Sequence, residues 1–380
     1  MKIESVETYL CYQWLIVRIE TDTGVVGYGQ TAYWGYPDAA ERIVNAFREQ
    51  LVGRDPLRIE QHWNRLFHWK PFRDGVLTGA IAAIDIALWD VAGRHFEVPV
   101  YQLMGGKQRE KARLHLLVFD GPGSTTDELV EAVQDAVGEG FTAIKIDALP
   151  DSIVERQQTY TGMLQVIVER VAAVREAIGW EIDLILEIHR DLNPGEAIAV
   201  AEELEQFRLY FLEDPIPPHS VDSHGDVIRN IRIPVGAGER QNTIYEFREL
   251  LARGARFLRP DIGLSGGLTH CKKIATLAES YHAQIVCHNA FSPLLTSATL
   301  QLYAATSNCG TLELLPWDDE PARAEMLEVP LKREGGYLMI PEGPGLGVDL
   351  NTDIFERYPF SPWEYPPEVR IRGDGSVFTK

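Results

Sequence analysis

Positive charge is scarce in this chain: 36 Lys and Arg stand against 56 Asp and Glu, a formal net charge of −20. Nucleic acid and anionic membranes both require a basic surface, so neither is expected as a partner. An anionic substrate would have to be met by local cations and a metal. Cysteine is scarce too. Cys11, Cys271, Cys287 and Cys309 lack metal-ligand spacing and the density of a disulfide framework, and read as reduced core residues of a cytoplasmic protein. The N-terminus has no basic stretch leading into an apolar core of signal-peptide length. No apolar run approaches the roughly 18 residues of a membrane helix. What is present is ordinary: 380 residues with 45% hydrophobic content, enough for a full barrel core and a second domain.

Residues 1–30 alternate apolar and polar and turn at Asp22–Gly24, which predicts an antiparallel hairpin or meander. An aromatic loop, 31–38, leads into helical periodicity at 38–51, around 56–68 and on to Arg94, with a break at Asp74–Gly75. Strands followed by helices predict a small α+β domain over 1–110. From Arg113 the rhythm becomes strand–helix alternation, the signature of a parallel α/β architecture. Strands are expected at L-H-L-L-V-F, F-T-A-I-K-I-D, D-L-I-L-E-I-H, F-L-E-D-P, P-V-G-A-G-E, R-F-L-R-P-D, A-Q-I-V-C-H-N and T-L-E-L-L. A capping signal, S-T-T-D-E, opens the first intervening helix and N-P-G-E starts another. The predicted fold is α/β: a modified TIM barrel, (β/α)7β, over 111–316 with the α+β domain capping it. Residues 317–380 are expected to run along the outside and return to the capping domain.

Three of these strands end in a carboxylate, and Glu187, Glu213 and Glu239 stand 26 residues apart in turn. That interval is one β/α unit, so the three side chains converge on the mouth at the C-terminal ends of the strands. Three carboxylates there repel one another unless a cation sits between them. Oxygen-only ligands select a hard ion, in cells Mg²⁺ first. Residues two apart on a strand face the same side, which puts His189 beside Glu187 and Lys145 beside Asp147. His288 and Asp261 end neighbouring strands 27 residues apart. Asp261 there can accept a hydrogen bond from the imidazole, fix its tautomer and raise the basicity of its other nitrogen. A metal-chelated carboxylate substrate, a base on one face and an acid on the other would suit proton removal through an enediolate and loss of a β-hydroxyl.

The set E-I-H, F-L-E-D-P, G-A-G-E-R, R-P-D-I-G-L-S-G-G and C-H-N-A-F, with I-A-A-I-D-I-A-L-W-D-V-A-G-R and Q-L-M-G-G-K, resembles the mandelate racemase subgroup of the enolase superfamily over about residues 1–350. Within it the chain looks most like acid-sugar dehydratases of the gluconate, galactonate and arabinonate type. The resemblance implies that Glu187, Glu213 and Glu239 bind Mg²⁺, that His288 with Asp261 is the base, and that His189 is the acid releasing hydroxide. It implies that Glu313 lies near the substrate carboxylate, protonated or hydrogen-bonding, and that the protein is a tetramer or octamer. Tyr33, Trp34 and Tyr36, and the W-K-P-F-R stretch with Arg73, fall in the capping loops of such barrels and are expected to exclude water and read distal hydroxyls. Trp317, just after the last strand, is expected at the same mouth.

Two positions depart from the family pattern. Glu187 stands where many relatives have Asp, and K-I-D replaces the K-x-K whose second Lys is a base in racemases, leaving Asp147 there. A racemase or epimerase of a 2-hydroxy acid, the competing reading, needs a base on each face of the carbon. The expected reaction is therefore dehydration of an aldonate to a 2-keto-3-deoxy acid. Lys145 and Asp147 are expected to bind substrate, Lys145 through the substrate carboxylate or the metal's carboxylates; the alternative is that the two pair with each other. Arg240 either reaches the mouth or pairs structurally. His219 and His224 are expected in an exposed loop.

Overall fold

The N-terminal alternation forms a three-stranded antiparallel meander, β1 (Ile3–Cys11), β2 (Trp14–Thr21) and β3 (Val26–Gln30). The computed structural model describes residues 1–33, 35–71, 75–118, 125–149, 159–316, 320–363 and 375–377. Trp34, Arg73 and Trp317, expected at the mouth, lie outside the described residues, as do Phe72 and Asp74. The β2–β3 turn closes at Gly24, φ 79°, in the left-handed region glycine tolerates. Three helices follow, Pro37–Leu51, Ile59–His68 and Gly75–His95. The second starts later than expected because the Asp55 side chain accepts the Leu57 N–H at 3.0 Å and holds a turn there.

The apolar faces of sheet and helices meet in one core, with Ile3, Val6, Leu15, Val17 and Ile19 against Val44, Phe47, Trp63, Leu66, Ile81 and Ile84. Helix Gly75–His95 crosses β3 so closely that a Cβ on Gly29 would sit 2.0 Å from the Ala83 carbonyl oxygen. This helix corrects one expectation: by length and composition it is apolar enough to cross a membrane, with 78% of its most apolar window buried within the molecule. Packed by sheet on one side and barrel on the other, a helix has no polar face to show.

Eight parallel strands build the barrel: β4 (Lys111–Val118), β5 (Ala143–Asp147), β6 (Asp183–Glu187), β7 (Leu212–Glu213), β8 (Val235–Ala237), β9 (Phe257–Leu258), β10 (Gln284–Ile285) and β11 (Leu312–Leu314). They pair in chain order from β4 to β10, β11 returns to β4, and a parallel bridge Ile285–Cys309 closes the ring. Helices Thr126–Gly138, Tyr160–Ile178, Pro194–Leu204, Val221–Asn230, Ile244–Ala252, Gly267–Glu279 and Pro293–Ala304 fill the connections. Thr125 with Glu128 and Asn193 with Glu196 form capping boxes where the sequence signalled helix starts. The architecture is the (β/α)7β modified TIM barrel with an N-terminal capping domain.

After β11 the described residues form two one-turn helices, Pro321–Ala324 and Ile354–Arg357, and no long barrel helix. A hairpin, Arg333–Glu334 with Tyr337–Met339, lays its second strand antiparallel on β4. The chain then reaches the N-terminal sheet: Tyr12 donates to the Tyr358 carbonyl at 2.8 Å, and the Tyr9 and Phe355 rings stack at 4.1 Å.

Candidate active site

Strand alternation sorts the barrel interior into an apolar layer and an ionic one. Ile185, Phe211, Phe257 and Val286 form a buried apolar cluster. Two residues further along the same strands stand Glu187, Glu213, Arg259 and His288, which therefore share that inward face nearer the C-terminal mouth. Ligand oxygens of Glu187, Glu213 and Glu239 lie within 4.8 Å of one another, all three residues buried. Glu239 lies two residues beyond β8, after Gly238 at φ 129°, where a Cβ would meet the Phe247 ring at 2.5 Å. Only glycine lets the chain bend there and return Glu239 to the cluster.

Lys145 is a buried cation of this layer. Its Nζ lies 2.7 Å from Glu213 Oε1 and 3.2 Å from Glu187 Oε2, and donates also to Glu313. It bridges the carboxylate cluster, and its pairing with Asp147 is not what the geometry supplies. Arg259, fully buried, lies 2.8 Å from both Glu213 Oε1 and Glu313 Oε2. Asn289 N–H also donates to Glu313 Oε2, at 3.1 Å. Burial alone would raise the Glu313 carboxyl, but Arg259 and Lys145 outweigh it and hold the group well below the usual carboxylate range. Glu313 thus has both oxygens engaged as acceptors, the hydrogen-bonding alternative expected for it. Arg190 bonds Asp214 Oδ2 at 2.8 Å and Glu239 Oε1 at 2.6 Å. Arg240, half-exposed, lies 3.2 Å from the same Glu239 oxygen.

Sequence reasoning passed over Arg190 and Arg259. Arg259 carried a signal, since it lies two before Asp261 and two after Phe257 on one alternating face. Arg190 carried none, because it follows a turn.

His189 reaches the mouth by that turn and not by strand alternation. β6 ends at Glu187, and His189 and Arg190 both take left-handed backbone, φ 52° and 70°. Two such non-glycine residues in succession are costly and need outside support. Glu187 Oε1 accepts the His189 N–H at 2.9 Å, and the Asp214 carbonyl accepts that of Arg190 at 2.8 Å. His189 Nδ1 lies 2.7 Å from Asp147 Oδ2. Across the barrel, His288 Nδ1 lies 2.7 Å from Asp261 Oδ2 and its Nε2 3.7 Å from Glu239 Oε2. Both residues lie beyond the regular parts of β9 and β10, joined by an isolated parallel bridge. Burial works against the charged imidazole of His288, but the Glu239 charge and the Asp261 hydrogen bond prevail and raise it above the ordinary value.

The capping domain holds both loops of this pair. Gly263, whose N–H caps Asp261 Oδ1 at 2.7 Å, offers its carbonyl to Ala32 N–H at 3.1 Å and to the Thr31 hydroxyl at 3.2 Å. Trp63 Nε1 donates to the Gly266 carbonyl at 2.8 Å. On the His288 side, Trp14 Nε1 donates to the Phe291 carbonyl at 3.1 Å and Ser292 bonds Gln30 at 2.6 Å. Tyr33 is half-buried beside Gly75 and Gly79, and Tyr36 is largely exposed. His219 is exposed as expected. His224 is not: it is buried in helix Val221–Asn230, its Nδ1 against the Ser220 carbonyl.

The residues fit a hard divalent cation. Every donor is a carboxylate oxygen, and Glu213 Oε2 is buried with no hydrogen-bond partner among the described residues. Counting buried members only, the cluster holds five carboxylates (Glu187, Glu213, Glu239, Glu313 and Asp214) against three cations (Lys145, Arg190 and Arg259), an excess of two negative charges that half-exposed Arg240 meets only from the rim. Without compensation the excess falls on Glu213, whose carboxyl burial and the neighbouring Glu187 charge push well above its usual range against the pull of Arg259.

Known proteins carry the same plan. Residues 3–105 match the mandelate racemase/muconate lactonizing enzyme N-terminal domain, and residues 128–354 the enolase C-terminal domain-like family. D-galactonate dehydratases of Ralstonia pickettii (31% identical) and Ralstonia nicotianae (32%) align over 99% of this chain and of their own. The crystal structure of an enolase superfamily member from Salmonella Typhimurium superposes with a TM-score of 0.88 at 27% identity, over 94% of this chain and 98% of its own. The chain belongs to the mandelate racemase/muconate lactonizing enzyme family of the enolase superfamily, among its dehydratases.

Proposed function

We propose that this protein dehydrates a sugar acid, an aldonate such as gluconate, galactonate or arabinonate, to the 2-keto-3-deoxy acid with Mg²⁺ held by Glu187, Glu213 and Glu239. The observation that carries the reading is a pair of imidazoles on opposite sides of the carboxylate cluster, each with Nδ1 bonded to an Asp, so that each offers Nε2 to the mouth. Bound Mg²⁺ would supply charge stabilisation to a substrate carboxylate as its neighbouring carbon loses a proton. His288 Nε2 takes the C2 proton, Asp261 stabilising the imidazolium. The freed electron pair is first held as the enediolate of the substrate carboxylate, and then forms the C2–C3 double bond as the C3–O bond breaks. The oxygen leaves as water with the proton His189 donates, and the enol ketonises to the 2-keto-3-deoxy acid. Lys145 and Arg259 hold the Glu313 carboxylate behind the reacting carbon and tie it to Glu213. Tyr33, with Trp34, Arg73 and Trp317, is assigned to the distal hydroxyls. Racemisation is disfavoured because Asp147, not Lys, stands two residues after Lys145 on β5.

The D-galactonate dehydratase relatives make galactonate the first aldonate to test. By the same reading the enzyme is a cytoplasmic homo-oligomer, tetramer or octamer. The test is incubation with Mg²⁺ against C5 and C6 aldonates and aldarates, with 2-keto acid detected as its semicarbazone. Formation from one or two aldonates is expected. If no acid sugar loses water, the reading fails.

A further inference from the structure

The mouth holds two His–Asp pairs of equal length. Asp147 ends β5 in register with Glu187, is buried, and puts Oδ2 2.7 Å from His189 Nδ1 while Oδ1 accepts the Leu149 N–H at 2.9 Å. A side chain so engaged is aimed along the strand ends at its neighbour and away from a substrate. His189 meanwhile sits on a left-handed backbone, φ 52°, with its side chain 17% exposed. Among the described residues no other group hydrogen-bonds its ring; its backbone N–H is tied to Glu187.

We infer that Asp147 is the positioning residue of His189, fixing its ring so that Nε2 faces the leaving hydroxyl, as Asp261 does for His288. This replaces the substrate-binding role expected for Asp147, and it rests on the dehydration reading above. It also accounts for Asp at this position. With Lys there, a second cation would stand against the imidazolium that donates; with Asp, Nδ1–H has an anionic acceptor and the proton to be donated sits on Nε2. Proton transfer from a well-placed acid is worth about 10²–10⁴ in rate, which bounds what loss of Asp147 can cost.

Two readouts test this in the Mg²⁺-loaded, full-length protein. The first needs no substrate: crystal structures of Asp147→Asn and Asp147→Ala. The His189 ring is expected to turn or lose order in Asp147→Ala, with the Glu187 side chain unmoved; an unmoved ring overturns the inference even if no aldonate is ever found to react. The second compares an aldonate with its 3-deoxy-3-fluoro analogue, whose fluoride leaves with the C–F electron pair and needs no proton. Asp147→Asn is expected to lower kcat for water loss by about 10²–10⁴ with KM within about threefold, to leave fluoride release within about threefold of wild type, and to keep C2–H exchange in D₂O. Asp147→Glu should recover part of the lost kcat. Equal losses on both substrates would mean that Asp147 merely holds the strand end, and would overturn the inference. Wild-type protein that dehydrates nothing refutes the proposed function instead.

Discussion

Lys145→Met removes a buried ammonium that lies among three carboxylates while keeping the length and apolar character of the stem. Lys145 is 1% exposed and touches Glu187, Glu213 and Glu313. Breaking a buried ion-pair network from one side costs about 3–5 kcal/mol, since the orphaned carboxylates stay in low dielectric. The melting shift follows from the entropy of unfolding. At about 2.1 cal/mol/K per residue, 380 residues give roughly 800 cal/mol/K, so each kcal/mol moves Tm by about 1.2 °C. The metal-free variant should therefore melt about 4–6 °C below wild type. Added Mg²⁺ should behave oppositely. The variant's cluster carries three excess negative charges where wild type carries two, and a repelling cation is gone, so Mg²⁺ should raise Tm by more in Lys145→Met than in wild type. Differential scanning calorimetry in EDTA and in millimolar Mg²⁺ gives both numbers. An EDTA melting point within about 1 °C of wild type, or a smaller Mg²⁺ increment in the variant, refutes the charge-balance argument.

Gly238→Ala should drive a methyl into the Phe247 ring and displace Glu239, lowering Mg²⁺ affinity by about 10- to 100-fold in a calorimetric titration. His288→Asn should abolish both C2–H exchange and water loss, by about 10²–10⁴, as read by proton NMR in D₂O. Asp85, buried in helix Gly75–His95 where it accepts the Thr269 N–H at 3.0 Å, is pushed up to about 7, chiefly by burial. Its folded form holds a proton that the unfolded chain releases above about pH 4, so its contribution is present at low pH and is lost as pH rises toward 7. Asp85→Asn should gain stability relative to wild type over that window, by up to about 1.4 kcal/mol per pH unit, in urea melts between pH 4.5 and 7. His270 acts with the opposite sign. Burial lowers it to about 4, so its contribution is lost as pH falls from about 6.5. Comparison at each pH with the single variant separates the two.

The carboxylate cluster was legible because its signal is periodic: three carboxylates one β/α unit apart, each after an apolar run. The His288–Asp261 pair was legible for the same reason, although both residues lie past the regular strand ends and meet through a single bridge. His189 was placed correctly by an argument that does not hold in the structure. Strand alternation stops at Glu187, and a left-handed turn brings the ring to the mouth, a turn no glycine or asparagine announces. Lys145 and Asp147 share a face as expected, yet each finds its partner on another strand, because what lies across a barrel depends on shear and tilt that one sequence does not display. The hairpin Arg333–Met339 was missed although its Gly335–Gly336 turn marks it. Helix Gly75–His95 breaks the expectation about apolar runs because it is covered on both sides.

The most direct measurement is add-back of Mg²⁺ to EDTA-dialysed protein with the best aldonate of the panel, following 2-keto acid formation. The account predicts no turnover without metal, recovery that saturates at one Mg²⁺ per chain, and no recovery in Glu213→Gln. Undiminished turnover in EDTA, or full recovery in Glu213→Gln, would contradict it.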